Sequence, residues 1–424
     1  MNVLLISANT ETVNMVPLPL GLNCVAVAAR SAGHTVHLLD LMGARDNARS
    51  IQEAVSNMKP DLIGVSVRNV DNQRMLEPRF LLEPVRDIIA ICREATDAPI
   101  IVGGAGFSIF PVPVLRYLKA DMGICGEGEL AFTALLEALE QGKDLSGING
   151  ICYSDGTVMG KSSMKPGLAT LPFPDPTLWT VPSSAGENVW IPFQTRRGCP
   201  MKCSYCSTPA LEGTTIRMHS VGSVVKALGC HVAAGFSRFY FVDNTFNLPP
   251  KYAKELCRAI ASARLGIRWR CILYPGFVDD VVVRLMAEAG CVEISLGFES
   301  GCPDILRNLN KKFTVDQVRA ASALFKEYGI QRNGFLLLGG PGETRETVLE
   351  SLAFADSLDL DMLKLTMGIR IYPETPLARI ALDEGQIAAG DDLLVPRFYL
   401  AKGLEDWLEP TILTWMAERS YCTT

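Results

Sequence analysis

The stretch Gln194–Pro209 reads QTRRGCPMKCSYCSTP and holds three cysteines, Cys199, Cys203 and Cys206, in a C-x3-C-x2-C arrangement. A structural zinc site normally has four protein ligands, whereas a disulfide joins two cysteines. Three closely spaced thiols fit neither pattern, and no second C-x2-C occurs in the chain. The spacing therefore indicates a metal site of another kind.

The 424-residue chain has the composition of an ordinary globular protein, with 48% hydrophobic and 20% charged residues. Its formal net charge of −6 argues against a nucleic-acid partner held through phosphates. No apolar segment approaches the ~20 residues that cross a bilayer, and no signal peptide is recognised, so we expect a cytoplasmic location. Thiols stay reduced there, which favours a metal site over a disulfide framework.

Short apolar runs alternate with helix patterns over residues 1–145. The predicted strands are Val3–Ser7, Thr35–Leu39, Leu62–Val67, Ile100–Val102 and Met122–Ile124. Helix patterns include Pro84–Glu94 and Glu129–Leu139. Strands that are apolar throughout, each followed by a helix, indicate a parallel sheet covered on both faces. We expect a doubly wound, Rossmann-like α/β domain whose ligand lies beyond the carboxyl ends of its strands.

Residues 146–188 interrupt this alternation. The SDGT turn within Gly150–Gly160 predicts a small hairpin, and the proline-rich run LPFPDPTLWTVP, residues 171–182, suits an extended linker. We therefore expect a linker between two domains over this range.

The alternation resumes over residues 189–375. The predicted strands there are Trp190–Gln194, Arg238–Val242, Arg268–Ile272, Glu293–Gly297, Gly334–Leu338 and Met362–Met367. The predicted helices are Val221–Ala233, Lys251–Ala263, Asp279–Ala289, Val315–Tyr328 and Thr344–Ser357. Six βα units are too few for a closed eight-unit barrel. We expect a partial (β/α)6 TIM-type barrel, followed by a short helical cap over residues 376–424.

The cysteine stretch follows the first strand of this barrel, at the carboxyl end of the sheet, where βα barrels form their active sites. A [4Fe–4S] cube normally takes four cysteine ligands. Three cysteines would leave one iron with an open position, which is the mark of a reactive metal site. A zinc site completed by His219, a group of plain buried thiols and an electron-transfer cluster remain as alternatives.

Four more segments of the second domain stand at predicted strand ends. They are FYFVDNTFN (239–247), EISLGFESG (293–301), GFLLLGGPGET (334–344) and GIRIYPETPLA (368–378). Together with the cysteine motif they resemble the radical S-adenosylmethionine (SAM) superfamily. The resemblance implies a [4Fe–4S] cluster on Cys199, Cys203 and Cys206, with SAM on the open iron. It also implies SAM contacts from Tyr205, Asp243, Asn244, Glu299, Ser300, Gly339, Gly340 and Gly342. Taken singly, Asp243 could be a helix cap, and the glycines could form a plain turn.

The first domain carries a resemblance of its own. LPLGLNCVAVAARSAGHTVHLLD (18–40), PDLIGVSV (60–67), IIVGGAGFSIFP (100–111) and ADMGICGEGELAF (120–132) resemble segments of radical SAM enzymes with an amino-terminal cobalamin (B12)-binding-type domain. Residues that would line a cobalamin or substrate cleft are Arg68, Asn69, Asp71, Asn72, Gly103, Gly104, Gly126 and Gly128. The polar loop 66–73 could equally be a solvated turn.

One element of many cobalamin proteins is missing. They supply a histidine from a D-x-H-x-x-G loop, and none of the four histidines, His34, His37, His219 and His231, lies in such a motif. We therefore expect any bound cobalamin to lack a histidine lower ligand.

The resemblance implies an enzyme that cleaves SAM reductively to a 5′-deoxyadenosyl radical, which abstracts hydrogen from a small-molecule substrate. Cobalamin-dependent C-methylation is the main expectation. The alternative is a cobalamin-free dehydration, oxidation or rearrangement of a polyol, sugar or aminoglycoside-like substrate; an electron-transfer protein without SAM chemistry is the third hypothesis. Expected partners are an electron donor such as flavodoxin or ferredoxin and a downstream reductase, with no nucleic acid and no membrane. The sequence does not assign a catalytic residue.

Overall fold

The computed structural model describes residues 1–11, 17–160, 167–181 and 189–423. The chain divides into two compact units. The first comprises residues 1–72, 79–192 and 208–213, and the second comprises residues 73–78, 193–207 and 214–424.

A seven-stranded sheet forms the centre of the first unit, in the order β2-β1-β3-β4-β5-β6-β7. Its strands are β1 (Asn2–Ser7), β2 (Thr35–Asp40), β3 (Leu62–Ser66), β4 (Ile100–Gly103), β5 (Met122–Ile124), β6 (Ile151–Tyr153) and β7 (Val158–Met159). Strands β1 to β5 are parallel, whereas β6 and β7 form the antiparallel hairpin predicted at SDGT. All five strands predicted for this domain are confirmed.

Helices cover this sheet because each presents an apolar stripe to it. They are α1 (Leu20–Ser31), α2 (Asn47–Met58), α3 (Leu82–Ala95), α4 (Ala105–Ile109), α5 (Pro111–Leu118) and α6 (Gly128–Glu140). Helices α1 and α6 pack together over one continuous core that includes Leu5, Leu135 and Ile151. The strand order reverses between β1 and β3, and this switch point is where doubly wound sheets bind their ligands.

The proline-rich segment belongs to the first unit. The Asn23 side chain of α1 exchanges hydrogen bonds with the backbone of Asp175, with 3.0 Å for the bond it donates and 2.8 Å for the bond it accepts. A short 3-10 turn at Pro176–Leu178 follows. The described part of the predicted linker therefore packs on the first domain, while residues 161–166 and 182–188 of that prediction lie outside the described residues.

The second unit contains another seven-stranded sheet, in the order β18-β15-β14-β13-β12-β11-β8. The strands after β7 are β8 (Ile191–Phe193), β9 (Arg196–Arg197), β10 (Arg217–Met218), β11 (Arg238–Phe241), β12 (Arg268–Leu273), β13 (Cys291–Glu299), β14 (Gln331–Leu338), β15 (Met362–Met367), β16 (Ile369–Arg370), β17 (Phe398–Tyr399) and β18 (Cys422–Thr423). From β8 to β15 the main strands run in sequence order, as the predicted six-unit partial barrel requires.

Helices connect these strands. The short helix α7 (Thr208–Glu212) belongs to the first unit. The helices of the second unit are α8 (Val221–Ala233), α9 (Pro250–Ala263), α10 (Asp280–Glu288), α11 (Pro303–Asn308), α12 (Val315–Glu327), α13 (Arg345–Ser357), α14 (Pro376–Asp383) and α15 (Leu408–Ala417). The five helices predicted for the barrel agree with α8, α9, α10, α12 and α13 to within one residue at either end. Among the described residues, no helix is long and apolar enough to cross a membrane.

The carboxyl-terminal region corrects one expectation. It holds the helices α14 and α15, as predicted, but it also returns to the sheet. Residues Cys422 and Thr423 pair in parallel with Leu363 and Lys364 of β15 and so add a seventh strand. A run this short carries no strand pattern, so the prediction of a purely helical cap missed it.

Candidate active site

The three cysteines of the candidate cluster site lie on one irregular loop of the second unit. None of the three forms a disulfide; Cys199 is buried, and Cys203 and Cys206 are partly exposed. Gly198 has φ +90°, a conformation that glycine adopts at little cost. Neighbouring segments hold the loop through its backbone, since Ser204 donates to the Leu309 carbonyl at 3.1 Å and accepts from Leu377 N–H at 2.9 Å.

Asp243, predicted as a SAM contact, anchors the backbone that leads into this loop. Its carboxylate is fully buried and accepts from Thr195 N–H at 2.7 Å, from Thr195 Oγ1 at 2.6 Å and from Arg196 N–H at 3.0 Å. Arg196 Nε lies 3.2 Å from the same carboxylate. Both oxygens are thus engaged within the protein, so the structure gives Asp243 a positioning role.

Tyr205 and Glu299, each predicted to contact SAM, are hydrogen-bonded to each other, and Lys311 joins them. Lys311 Nζ donates to Tyr205 Oη at 2.9 Å and to Glu299 Oε1 at 3.1 Å, and Tyr205 Oη donates to the same carboxylate oxygen at 3.0 Å. The Lys311 ammonium also lies 5.2 Å from the centre of the Tyr205 ring. The sequence offered no signal for Lys311, because a lysine after a helix is ordinarily solvated.

This cluster of polar groups is electrostatically coupled to the cysteine loop. Burial raises the pKa of the Cys203 thiol, while the charge of Lys311 and its hydrogen bond to that thiol act in the opposite direction. Burial also raises the pKa of Tyr205 well above its usual value, which keeps the phenol neutral. For Lys311, burial opposes the charge, but Glu299, Tyr205 and Cys203 raise its pKa well above the usual value. Lys311 is therefore a buried cation next to a candidate cluster ligand.

The glycine turn after β14 is closed by the side chain of Glu343, which lies just before α13. Glu343 Oε2 accepts from Gly339 N–H at 2.5 Å and from Gly340 N–H at 2.8 Å. Burial raises its pKa from 4.5 to about 7, although these two hydrogen bonds favour the charged form. Gly342 has φ +77°, and an added Cβ would lie 2.6 Å from Asn308 Nδ2. The turn is thus held by the protein's own groups.

Two other predicted SAM residues, Ser300 and Asn244, differ in their exposure. Ser300 is fully buried, and its hydroxyl lies 2.9 Å from Ser351 Oγ and accepts from Cys302 N–H at 3.1 Å. These contacts stabilise the turn after β13, so the structure does not support a contact from this side chain to SAM. Asn244 is partly exposed at the end of β11, which is consistent with the predicted position.

The predicted cleft residues of the first unit separate into two groups. Arg68 and Asn69 line a small cavity at the carboxyl ends of β1 and β3, together with Asn9, Thr10 and Glu11. This is the switch point of the sheet. Asp71 and Asn72 are buried instead. They begin a narrow loop. In it, Asp71 and Phe80 form an isolated antiparallel β-bridge, and Asn72 Oδ1 accepts from Arg79 N–H at 2.9 Å. Neither residue is among those that line this cavity, and their assignment to a cobalamin or substrate cleft stays a prediction.

The predicted glycines at the strand ends serve close packing. Gly104 has φ +101°, and an added Cβ would lie 2.6 Å from the Val67 carbonyl oxygen. An added Cβ on Gly128 would lie 3.1 Å from Val25. Gly126 has φ +80°, and its N–H donates to Ser108 Oγ at 2.9 Å. Gly103 is less restricted, since the nearest atom to an added Cβ is the Ile124 carbonyl oxygen at 3.6 Å.

The zinc alternative has no support in the described part of the chain. There, no three side chains of His, Cys, Asp or Glu are arranged to share one metal ion. The ligands of a [4Fe–4S] cube do not have to converge on one metal ion, because each thiolate binds its own iron. Three cysteines without disulfides, on one loop at the end of β8 and β9, therefore fit the cube as a donor set.

Two family models match this chain: the Radical SAM superfamily over residues 194–355 and the B12 binding domain over residues 6–136. The chain carries a radical SAM domain and a B12-binding domain. The expected family, fold class and pairing of domains are thereby confirmed. The first match begins at Gln194, where the cysteine stretch begins, and includes Glu299, Lys311 and Glu343.

Relatives of this radical SAM protein include methyltransferases. An uncharacterized methyltransferase from Pyrococcus horikoshii is 28% identical over 90% of this chain and 83% of its own length. The tryptophan 2-C-methyltransferase from Streptomyces laurentii is 26% identical over 85% of this chain and 71% of its own length. The structure of the radical SAM methyltransferase TsrM from Kitasatospora setae, with cobalamin and a [4Fe–4S] cluster bound, has a TM-score of 0.87. At 24% identity over 99% of this chain and 92% of that one, it shows the common fold.

Proposed function

We propose that this radical SAM protein is a cobalamin-dependent methyltransferase that transfers a methyl group to a carbon of a small-molecule substrate. The observation that carries the proposal is the pairing of two sites in one chain. The second unit presents three cysteines without disulfides on one loop near the buried Lys311, and the first unit has the B12-binding fold. The methyltransferase relatives extend over most of the chain, so they support the reaction class for the whole protein.

The cluster site follows from the thiols. Cys199, Cys203 and Cys206 would hold a [4Fe–4S] cluster and leave its fourth iron for SAM. When bound, the cluster and SAM supply one-electron chemistry, and cobalamin supplies a carrier for the methyl group. Asp243 orients the backbone before the loop, and the buried ring of Tyr205 excludes water beside it. The N–H groups of Gly339 and Gly340 stay bound to Glu343, so this turn presents a preset backbone surface to SAM.

Cobalamin would lie on the first unit at the carboxyl ends of β1 and β3. The cavity there has a polar lining that includes Asn9, Thr10, Arg68 and Asn69, which suits the amide side chains of a corrin. His34 precedes β2, and His37 lies within it, away from that edge. The cobalt would therefore have no histidine ligand from this domain.

An electron donor such as flavodoxin or ferredoxin would dock beside the cysteine loop. Two exposed lysines, Lys202 and Lys312, lie at this surface and are connected through Asn310, which donates to the Lys202 carbonyl and accepts from Lys312 Nζ. A local positive patch on a chain with net charge −6 complements an acidic partner.

Anaerobic reconstitution with iron, sulfide and cobalamin tests the proposed function. After desalting, the wild-type protein should retain both cluster and corrin absorption in stoichiometric amounts. Cys199→Ala, Cys203→Ala and Cys206→Ala should each lose the cluster and SAM cleavage, whereas Cys230→Ala, at an exposed free thiol of the same unit, should keep both. A cluster without corrin would refute cobalamin-dependent methylation and favour the cobalamin-free alternative.

A further inference from the structure

Lys311 and Glu299 form a buried ion pair next to one cluster ligand. Their side chains are 6% and 14% exposed, and Nζ lies 3.1 Å from Oε1. Both side chains also bind Tyr205 Oη, which lies 2.9 Å from Lys311 Nζ and 3.0 Å from Glu299 Oε1, and Tyr205 lies in the loop between Cys203 and Cys206. A buried pair of this kind costs desolvation energy and is weak evidence for a purely stabilising role.

The backbone around Glu299 is built to hold this carboxylate in place. Glu299 has φ +62°, an uncommon conformation for a residue with a side chain, and the β13–β14 register shifts between Gly297 and Glu299. A Cβ on Gly297 would lie 3.0 Å from Glu299 Oε1, so the carboxylate folds back over a position that glycine leaves open. Strain of this kind in a non-glycine residue is concentrated at functional sites.

Lys311 is held by the same segment that supports the cysteine loop. Its N–H donates to the Leu306 carbonyl at 2.8 Å, and the neighbouring Leu309 carbonyl accepts from Ser204 in the loop. Its ammonium lies between two aromatic rings, 5.2 Å from the centre of Tyr205 and 5.9 Å from that of Phe313. The position of the positive charge is therefore fixed relative to Cys203.

We propose that Lys311 and Glu299 tune the reduction potential of the cluster, the lysine raising it and the glutamate lowering it. This inference rests on the proposed function, since it requires a cluster on the three cysteines. One-electron reduction by an external low-potential donor adds one negative charge to the cluster and leaves every covalent bond of the protein unchanged. A fixed cation nearby stabilises that added charge, and a fixed anion destabilises it.

Redox titration of the reconstituted protein without SAM, with dithionite as reductant and electron paramagnetic resonance as readout, tests this assignment. At a fixed potential, Lys311→Gln should lower the ratio of reduced to oxidised cluster about tenfold, which is a shift of ~59 mV to more negative potential. Glu299→Gln should shift the potential in the positive direction. Lys311→Arg should restore the wild-type value, and Lys326→Gln, at an exposed lysine of the same unit, should leave it unchanged.

The opposite signs separate an electrostatic role from a structural one. If both glutamine variants shifted the potential in the same direction, or neither shifted it, the inference would be wrong. If Lys311→Gln failed to load a cluster, Glu299→Gln would decide the matter, and an unchanged or more negative potential would overturn the proposal. If the wild-type protein holds a cluster and cleaves SAM, but the variants have the same cluster reduction potential as the wild type, only this inference is refuted. If the wild-type protein holds no cluster, the proposed function is refuted as well.

Discussion

Replacing Asp243 by asparagine should destabilise the second unit strongly, although the change preserves the shape of the side chain. The amide oxygen of asparagine can still accept from Thr195 N–H and Arg196 N–H. Its NH2 group, however, would replace the oxygen that now accepts from Thr195 Oγ1 and lies 3.2 Å from Arg196 Nε. The Arg196 guanidinium would remain charged, with its side chain only 2% exposed and without a counter-ion.

Removal of one partner from a buried ion pair costs about 3–5 kcal/mol, a large share of the ~5–15 kcal/mol that stabilises a typical domain. Urea unfolding of the apo protein measures the loss in the free energy of unfolding of the second unit, with the two units fitted as separate transitions. Trp269 is a suitable fluorescent reporter, since its ring lies 4.8 Å from that of Phe246, whose carbonyl accepts from Arg196. The variant should also bind less cluster, because Arg196 leads directly into the cysteine loop.

Asp359→Asn provides the matched control, because Asp359 pairs with Lys326 at the exposed surface of the same unit. Asparagine tolerates the left-handed conformation at this position, where φ is +48°. The urea midpoint of this variant should equal that of the wild type, since exposed pairs contribute little. Equal midpoints for Asp243→Asn and Asp359→Asn would refute the argument that Asp243 anchors the loop.

Two further predictions concern charge. Glu343 has a pKa of about 7 in the folded protein and an ordinary value of 4.5, so the folded state binds its proton more tightly than the unfolded state. Through this group, the free energy of unfolding should therefore fall by about 3 kcal/mol between pH 4.5 and pH 7. Glu343→Gln should remove that part of the pH dependence. If the variant kept the pH dependence of the wild type, the prediction would be wrong. The double variant Lys202→Glu/Lys312→Glu should slow cluster reduction by flavodoxin but leave the rate with dithionite unchanged. The control double variant Lys59→Glu/Lys119→Glu, at two exposed lysines of the first unit, should change neither rate. Equal rates with flavodoxin for all three proteins would rule out docking at the cysteine loop.

Local patterns made the elements of the fold predictable. Strands β1, β3, β4 and β5 are apolar almost throughout, and the helices between the strands carry apolar stripes. The type of each element therefore follows from the residue pattern of its own segment. The hairpin at SDGT depends on its own turn residues. Strand β18 was missed for the opposite reason, because two residues form a strand only where β15 presents an open edge to them.

The site residues divide in the same way. The spacing of Cys199, Cys203 and Cys206 by itself placed three thiols on one loop, and the resemblance to the radical SAM superfamily nominated Tyr205 and Glu299 as SAM contacts. The sequence could not show that Lys311 joins these two residues. Lys311 follows Tyr205 by 106 residues in the chain, yet its Nζ lies 2.9 Å from Tyr205 Oη.

The sequence by itself determined the type of chemistry, because thiol spacing and strand periodicity are properties of short segments. The tertiary structure decided how the nominated groups are used. It directed Asp243 and Ser300 into internal hydrogen bonds, buried Asp71 and Asn72 in a loop and brought Lys311 beside Cys203. Hydrogen bonds and desolvation act over a few ångströms, so the role of a polar side chain depends on which distant segments the fold packs around it.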